Sequence, residues 1–177
     1  MSEYHQTISF EEAVLPHLDA AYNLARWLTG NDHDAQDVVQ DASMRALKFF
    51  RGFRGGNARS WLLTIVRNTC YTWLRQNRTP ADNPEFDEEL HAVEDTSANP
   101  DLLLTRSAHI DAVRQAIEQL PAEFREIIVL REMEDFSYKE IADLAGIPIG
   151  TVMSRLARAR KQLQQSLAPR VQSEDLL

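Results

Sequence analysis

The stretch from Ser137 to Leu163, SYKEIADLAGIPIGTVMSRLARARKQL, restricts the fold of this chain more than any other. Ser137 with Glu140 three residues on is a capping box, which starts a helix by satisfying its first free N–H groups. Ile141, Ala142, Leu144 and Ala145 supply an apolar face, and Gly146 falls where a helix ends in a left-handed residue. Pro148 cannot continue the first helix but suits the opening of a second, from about Ile149. In that second helix Val152, Leu156, Ala159 and Leu163 recur at helical spacing and face inward. Small Ala142, turn-forming Gly146 and branched Val152 together make the packing signature of a helix-turn-helix.

A solvated helical hairpin would show the same spacing, so charge has to decide between the two readings. From Ala145 to Arg170 there are five basic residues (Arg155, Arg158, Arg160, Lys161, Arg170) and no acid. That bias favours contact with a polyanion. It sits inside an acidic chain of 177 residues with net charge -8, which argues against indiscriminate coating of nucleic acid. The charge is segregated in blocks. Residues 1–44 carry eight acids and one base, residues 45–78 carry eight bases and no acid, and residues 79–101 carry eight acids and no base. Alternating blocks indicate separate modules with separate partners.

Cys70 is the only cysteine, so no internal disulfide can form, and its apolar helical surroundings mark a buried structural thiol. The N-terminus lacks the basic and apolar regions of a secretory signal, and no apolar run approaches the roughly 20 residues that span a bilayer. A cytoplasmic protein without membrane insertion is expected. The histidines (His5, His17, His33, His91, His109) have no metal-ligand spacing, and no nucleophile or paired carboxylates stand clear of helix faces; no metal, cofactor or enzymatic activity is expected.

From the N-terminus, a helix is expected over Phe10–Leu28, with a capping box at Ser9 and Glu12, a kink at Pro16 and a stop at Gly30. Val14, Leu18, Ala21, Tyr22, Ala25 and Leu28 form its stripe. A second helix follows Asn31 and Asp32, with Asp34, Asp37 and Asp41 early and Arg45 and Lys48 late, as its macrodipole prefers. Its apolar side is Ala35, Val38, Val39, Ala42, Ala46, Leu47 and Phe50. Arg51-Gly-Phe-Arg-Gly-Gly-Asn57 then breaks the helix with three glycines, which allow close approach of backbone to a ligand. It lacks the ending of a nucleotide-binding phosphate loop. A third helix, Arg59–Gln76, packs through Trp61, Leu62, Ile65, Val66, Thr69 and Trp73. Its other side carries Arg67, Asn68, Tyr71 and Arg75, a mixture suited to single-stranded nucleic acid, where bases stack and amides read edges.

Residues 79–101 contain three prolines and eight acids without regular period, the composition of a flexible extended linker. After it, a helix over Leu102–Leu120 is followed by one opened by Pro121, through Phe124, Ile127, Ile128, Leu130 and Met133. With the helix-turn-helix these make a four-helix module whose expected core is Val113, Ile117, Ile128, Ile141, Leu144, Val152 and Leu156. Strand signals are absent. The fold class is therefore all-α: two small helical domains, 1–78 and 102–177, joined by the acidic linker 79–101.

Several motifs in one order resemble a known family. Asp37-Val-Val-Gln-Asp-Ala42, Phe53-Arg-Gly, Trp61-Leu-Leu, Leu120-Pro, Arg131-Glu, Ser137-Tyr-Lys-Glu-Ile-Ala142 and Pro148-Ile-Gly-Thr-Val-Met-Ser-Arg-Leu-Ala-Arg-Ala-Arg160 look like an extracytoplasmic function (ECF) sigma factor, a small sigma-70-type subunit of bacterial RNA polymerase. The resemblance implies a sigma2 domain of three to four helices and a four-helix sigma4 domain. It implies that Asp34, Asp37, Val38, Gln40 and Asp41 dock on the β′ clamp helices of core polymerase. It further implies that Phe53, Arg54, Gly55, Gly56, Asn57 and Ala58, with Asn68 and Tyr71, capture a base flipped from the −10 element. Thr151, Met153, Ser154, Arg155 and Arg158 would read the −35 element, while sigma4 binds the β flap. An anti-sigma factor is the expected regulator.

Met153 departs from the family, which often has Arg or Lys there; one contact to phosphate or base is lost. A stand-alone helix-turn-helix regulator is the alternative, and it would have no use for the glycine loop and basic third helix. A partner-binding adaptor that touches no DNA is a third.

Overall fold

The computed structural model describes residues 8–77 and 102–171, and among them every regular element is helical. The acidic segment 79–101 and the domain boundaries drawn at its ends lie outside the described residues, as do His5 and His91.

Local chemistry starts and stops the first helices. The Ser9 hydroxyl accepts from the Glu12 N–H at 3.1 Å while the Glu12 carboxylate accepts from the Ser9 N–H at 2.8 Å, opening α1 (Phe10–Val14). Pro16 tightens Leu15–His17 into a 3-10 turn, so the stripe resumes as a separate α2 (Leu18–Thr29), which Gly30 ends at φ 89°. The Asn31 side chain accepts from the Asp34 N–H at 2.8 Å and caps α3 (Asp32–Phe49). After a 3-10 turn at Phe50–Gly52 and the glycine loop comes α4 (Ala58–Asn77). Ala21, Leu24, Leu28, Ala35, Val38, Ala42, Ala46, Leu62, Leu63 and Val66 bury the space between α2, α3 and α4.

One apolar assignment is corrected here. The buried line of α3 runs through Ala35, Val38, Ala42 and Ala46, so Leu47, one position further round the helix, is turned out and 59% exposed. Val39 is only half-buried. Trp61 and Trp73 are likewise half-buried against the core rather than inside it. Cys70 is fully buried, as its sequence context implied. Burial first, and then the nearby Glu126 charge, push its thiol up to about 12, so it stays protonated and inert.

The second group begins with α5 (Leu102–Glu118). Pro121 caps α6 (Ala122–Ile128) rather than forming its first residue, and the chain continues as one π-helical turn, Val129–Met133. The helix-turn-helix follows as α7 (Tyr138–Ala145) and α8 (Ile149–Val171), with the Ser137–Glu140 capping box present and Gly146 left-handed at φ 66°. Ile117, Ile128, Ile141, Leu144, Val152 and Leu156 are buried as expected. Val113 is not: it is 43% exposed, because the buried line beginning on α5 runs through Ala112, Ala116 and Ile117 and leaves Val113 at its edge. Met133, at the end of the π turn, is also 39% exposed. The buried residues of both helical groups form one continuous core, α2 and α4 of the first packing on α6 and α7 of the second.

Candidate nucleic-acid interface

The basic face of α4 is divided between solvent and the second helical group. Asn68 is exposed, whereas Arg67 and Tyr71 turn toward α6. There the wholly buried Glu126 carboxylate receives the Arg67 guanidinium and, at 2.7 Å, the Tyr71 hydroxyl. The Arg67 guanidinium also lies over the Tyr71 ring, 4.5 Å from its centroid. Burial raises the Tyr71 phenol far above its ordinary value, and the Glu126 charge adds to this, so it acts only as a donor. Near the start of α4, Arg59 donates to the Glu134 carboxylate at 2.5 Å and to its carbonyl at 2.8 Å, and the Asn23 amide of α2 donates to the same carboxylate at 2.6 Å. Arg125 of α6 donates to the Trp27 carbonyl at 2.8 Å. Among the described residues no buried side-chain polar atom lacks a partner. Sequence reasoning missed Glu126 and Glu134. For Glu126 the available signal was an acid directly before the apolar run Ile127 to Leu130, at a helical position that turns inward; Glu134 gave none.

The glycine loop is ordered from its flanks. Phe53 stacks on Phe50 at 5.9 Å and tilts onto Trp61 at 4.9 Å, which makes an aromatic base under the loop. Gly55 and Gly56 take φ 84° and 95°, values that favour glycine, and the Asn57 side chain accepts from the Ser60 N–H at 3.0 Å to cap α4. Arg54, Gly55, Gly56 and Asn57 are exposed and Ala58 is half-buried. An exposed cation, two backbone units free of side chains and an aromatic floor can accept an unstacked base and its phosphate, and exposed Asn68 lies further along α4.

On α8, Thr151, Ser154 and Arg158 recur at steps of three and four and share one face. Met153 flanks them, 53% exposed. Arg155 stands differently from its expected role, since its guanidinium pairs with Glu123 of α6 at 2.9 Å and its side chain is only 24% exposed. Arg160 pairs with Glu132 at 2.5 Å. A contact from Arg155 to nucleic acid therefore requires an existing ion pair to break.

On α3, Asp37, Gln40 and Asp41 are exposed and continue into exposed Met44 and Leu47 at helical spacing. Val38, expected in the same docking set, is 3% exposed and belongs to the core, so it presents no surface to a partner. Of its apolar part, Leu47 was missed as surface because its spacing reads as core, and Met44 and nearby Phe49 were not singled out. Ligand atoms of His33, Asp34 and Asp37 come within 4.8 Å of one another, but His33 and Asp37 are exposed and Asp34 half-buried, and two acids at a helix start are sufficiently explained by the macrodipole. No helix among the described residues is long and apolar enough to cross a membrane.

Two family models match the chain: Sigma-70 region 2 over residues 13–79 and Sigma-70, region 4 over residues 110–163. The chain is 35% identical over 169 residues to the RNA polymerase sigma-H factor of Pseudomonas aeruginosa, covering 91% of this chain and 87% of that one. It is 34% identical over 160 residues to the ECF RNA polymerase sigma factor SigE of Mycolicibacterium smegmatis, covering 90% of this chain and 62% of that longer protein. Among solved structures, the sigma factor RpoE in complex with the anti-sigma factor NepR from Bartonella quintana is similar at TM-score 0.67 and 31% identity, over 90% of this chain and 96% of that one.

Proposed function

The chain, which is also 36% identical over 143 residues to the ECF RNA polymerase sigma-E factor of Escherichia coli, covering 75% of that protein, belongs to the ECF family of RNA polymerase sigma factors, and on that premise we propose that it directs core polymerase to specific promoters and promotes strand opening at the −10 element. The observation that carries this reading is the pairing, in one chain, of two surfaces with different nucleic-acid chemistry. A helix-turn-helix without acids on its second helix suits duplex, because an α-helix fits the major groove. A glycine loop over an aromatic floor, followed by a helix that carries an exposed amide, suits a single strand.

The mechanism follows from what each surface holds. Thr151, Met153, Ser154, Arg155 and Arg158 set the molecule on the −35 duplex, the arginines through phosphate or guanine. The exposed α3 stripe of Asp37, Gln40 and Asp41, together with Met44 and Leu47, docks on the β′ clamp helices, and the second helical group on the β flap. Unstacking costs a few kcal/mol per base. The loop from Phe53 to Ala58 and Asn68 offset that cost by holding the displaced base, so opening needs no nucleotide hydrolysis and the chain performs no catalytic step of its own. The acids of 79–101 are repelled by DNA and suit a positively charged channel of the polymerase instead. Sites 1–78 and 102–177 thus act as sigma2 and sigma4 in the cytoplasm, under an anti-sigma factor like the one bound to the similar RpoE.

Transcription in vitro with core polymerase and a promoter library tests the proposal. Initiation confined to a subset sharing two spaced elements is the expected result. Specific duplex binding without any promoter-directed initiation would instead identify a stand-alone regulator.

A further inference from the structure

Three exposed side chains on α8 follow one another at steps of four: Ile149, Met153 and Ala157. Ile149 is 48% and Met153 53% exposed, and the strip they begin is about 12 Å long. It is not part of the core, because the buried line of the same helix runs through Val152, Leu156 and Ala159. Gly150 lies beside the strip in the first turn, exposed, and nothing in the fold requires a glycine there. Its φ is not left-handed, and a Cβ added to it would meet no atom within 4 Å. Glycine in a helix is disfavoured relative to alanine. A missing side chain that the fold does not use points to an outside surface coming close.

The charge around the strip says what that surface is. No acid occurs from Ala145 to Arg170, and Arg158 and Lys161 stand on the exposed side of the same helix. That bias complements a groove bordered by phosphates. The N-terminal residues of the second helix of a helix-turn-helix meet base edges in the major groove. The apolar group displayed on those edges is the 5-methyl of thymine.

We infer that Ile149 and Met153, continued by Ala157, read thymine through its 5-methyl group in the −35 duplex. Gly150 lets the first turn of α8 sink toward the groove floor. The contact adds no hydrogen bond; it takes the methyl and the two side chains out of water together. It also divides the helix surface. The strip selects thymine, while Ser154 and Arg158, further round the helix, meet polar base edges and phosphate. This inference rests on the reading of α8 as the duplex-reading helix, and the test separates the two.

The test uses holoenzyme formed with the full-length chain and a −35 duplex selected by it. Each thymine of that element is replaced singly by deoxyuridine, which pairs as thymine does and lacks only the methyl. Affinity should fall roughly fourfold at one or two positions, the worth of one buried methylene-sized group, and stay level at the rest. Met153→Ala or Ile149→Ala should weaken binding to the thymine duplex and abolish the difference between thymine and deoxyuridine at its own position. Met153→Leu should keep it. Deoxyuridine tolerated everywhere while Ser154→Ala still lowers affinity overturns the thymine reading and leaves α8 on the duplex. A selected element made of G·C pairs alone does the same. A deoxyuridine penalty that survives both alanine variants puts the methyl contact on another residue and also overturns it. An equal loss on both duplexes in Met153→Ala, with weaker binding of core polymerase, makes the strip a protein contact and overturns it as well. If neither deoxyuridine nor Ser154→Ala has any effect, the duplex assignment of α8 falls with it.

Discussion

Arg67 and Glu126 are 59 residues apart in sequence and form a buried ion pair, the acid wholly enclosed and the arginine side chain 17% exposed. Two charges taken out of water this far repay their desolvation only when each satisfies the other. The pair therefore reports on the joint between the two helical groups rather than on either group alone.

Truncating one member should be costly. Glu126→Ala leaves a guanidinium in the joint with no carboxylate, a loss of about 3–5 kcal/mol while the joint stays closed. Adding Arg67→Ala to it should recover part of that loss. Urea denaturation of the two single variants and the double gives the coupling, expected at roughly 1–3 kcal/mol. Strictly additive effects would show that the pair is not a unit.

The start of α7 should carry a pH signature. Hydrogen bonds from the Ser137 backbone, then its side chain, hold the Glu140 carboxyl below its ordinary 4.5. A lowered folded-state value means that this contribution is present above 4.5 and is lost as pH falls through the depressed value. Ser137→Ala should cost about 1 kcal/mol near neutral pH and flatten the acid limb of the stability curve. An unchanged slope between pH 5 and pH 3 would show that the Ser137 hydroxyl does not help to hold Glu140 ionised.

The features that were legible in the sequence are those decided within one helical turn. Ser9 with Glu12, Ser137 with Glu140, Gly30, Gly146 and the break at Pro16 all sit where their local chemistry required. Side-chain partners across the chain were not legible. Arg67 and Tyr71 looked like a solvent-facing reading surface, since helical spacing shows which residues share a face but not what meets that face. Leu47 and Val113 failed for a related reason. They are apolar and near the buried stripe, and only the packing of α3 and α5 shows that each lies just outside it. Val38 shows the opposite error: its motif neighbours Asp37 and Gln40 are exposed, but its own position on the helix is buried.

Met153 offers a direct reading of which face of α8 meets DNA. It is exposed beside Ser154, and an arginine there would reach one more phosphate. Met153→Arg should tighten duplex binding and steepen the dependence of log affinity on log salt by about one unit. If both stay as they are, this position points away from the duplex.

The account turns on a division of labour, with α8 giving the address and the loop and α4 acting on the opened strand. The decisive measurement is a comparison of closed-complex formation with permanganate reactivity of −10 thymines, using holoenzyme that carries Asn68→Ala or Ser154→Ala on a promoter selected by the unsubstituted chain. Asn68→Ala should leave closed-complex affinity close to that of the unsubstituted protein and lower thymine reactivity, and Ser154→Ala should lower affinity while leaving reactivity per bound complex unchanged. Equal losses in both steps for both variants would contradict the division.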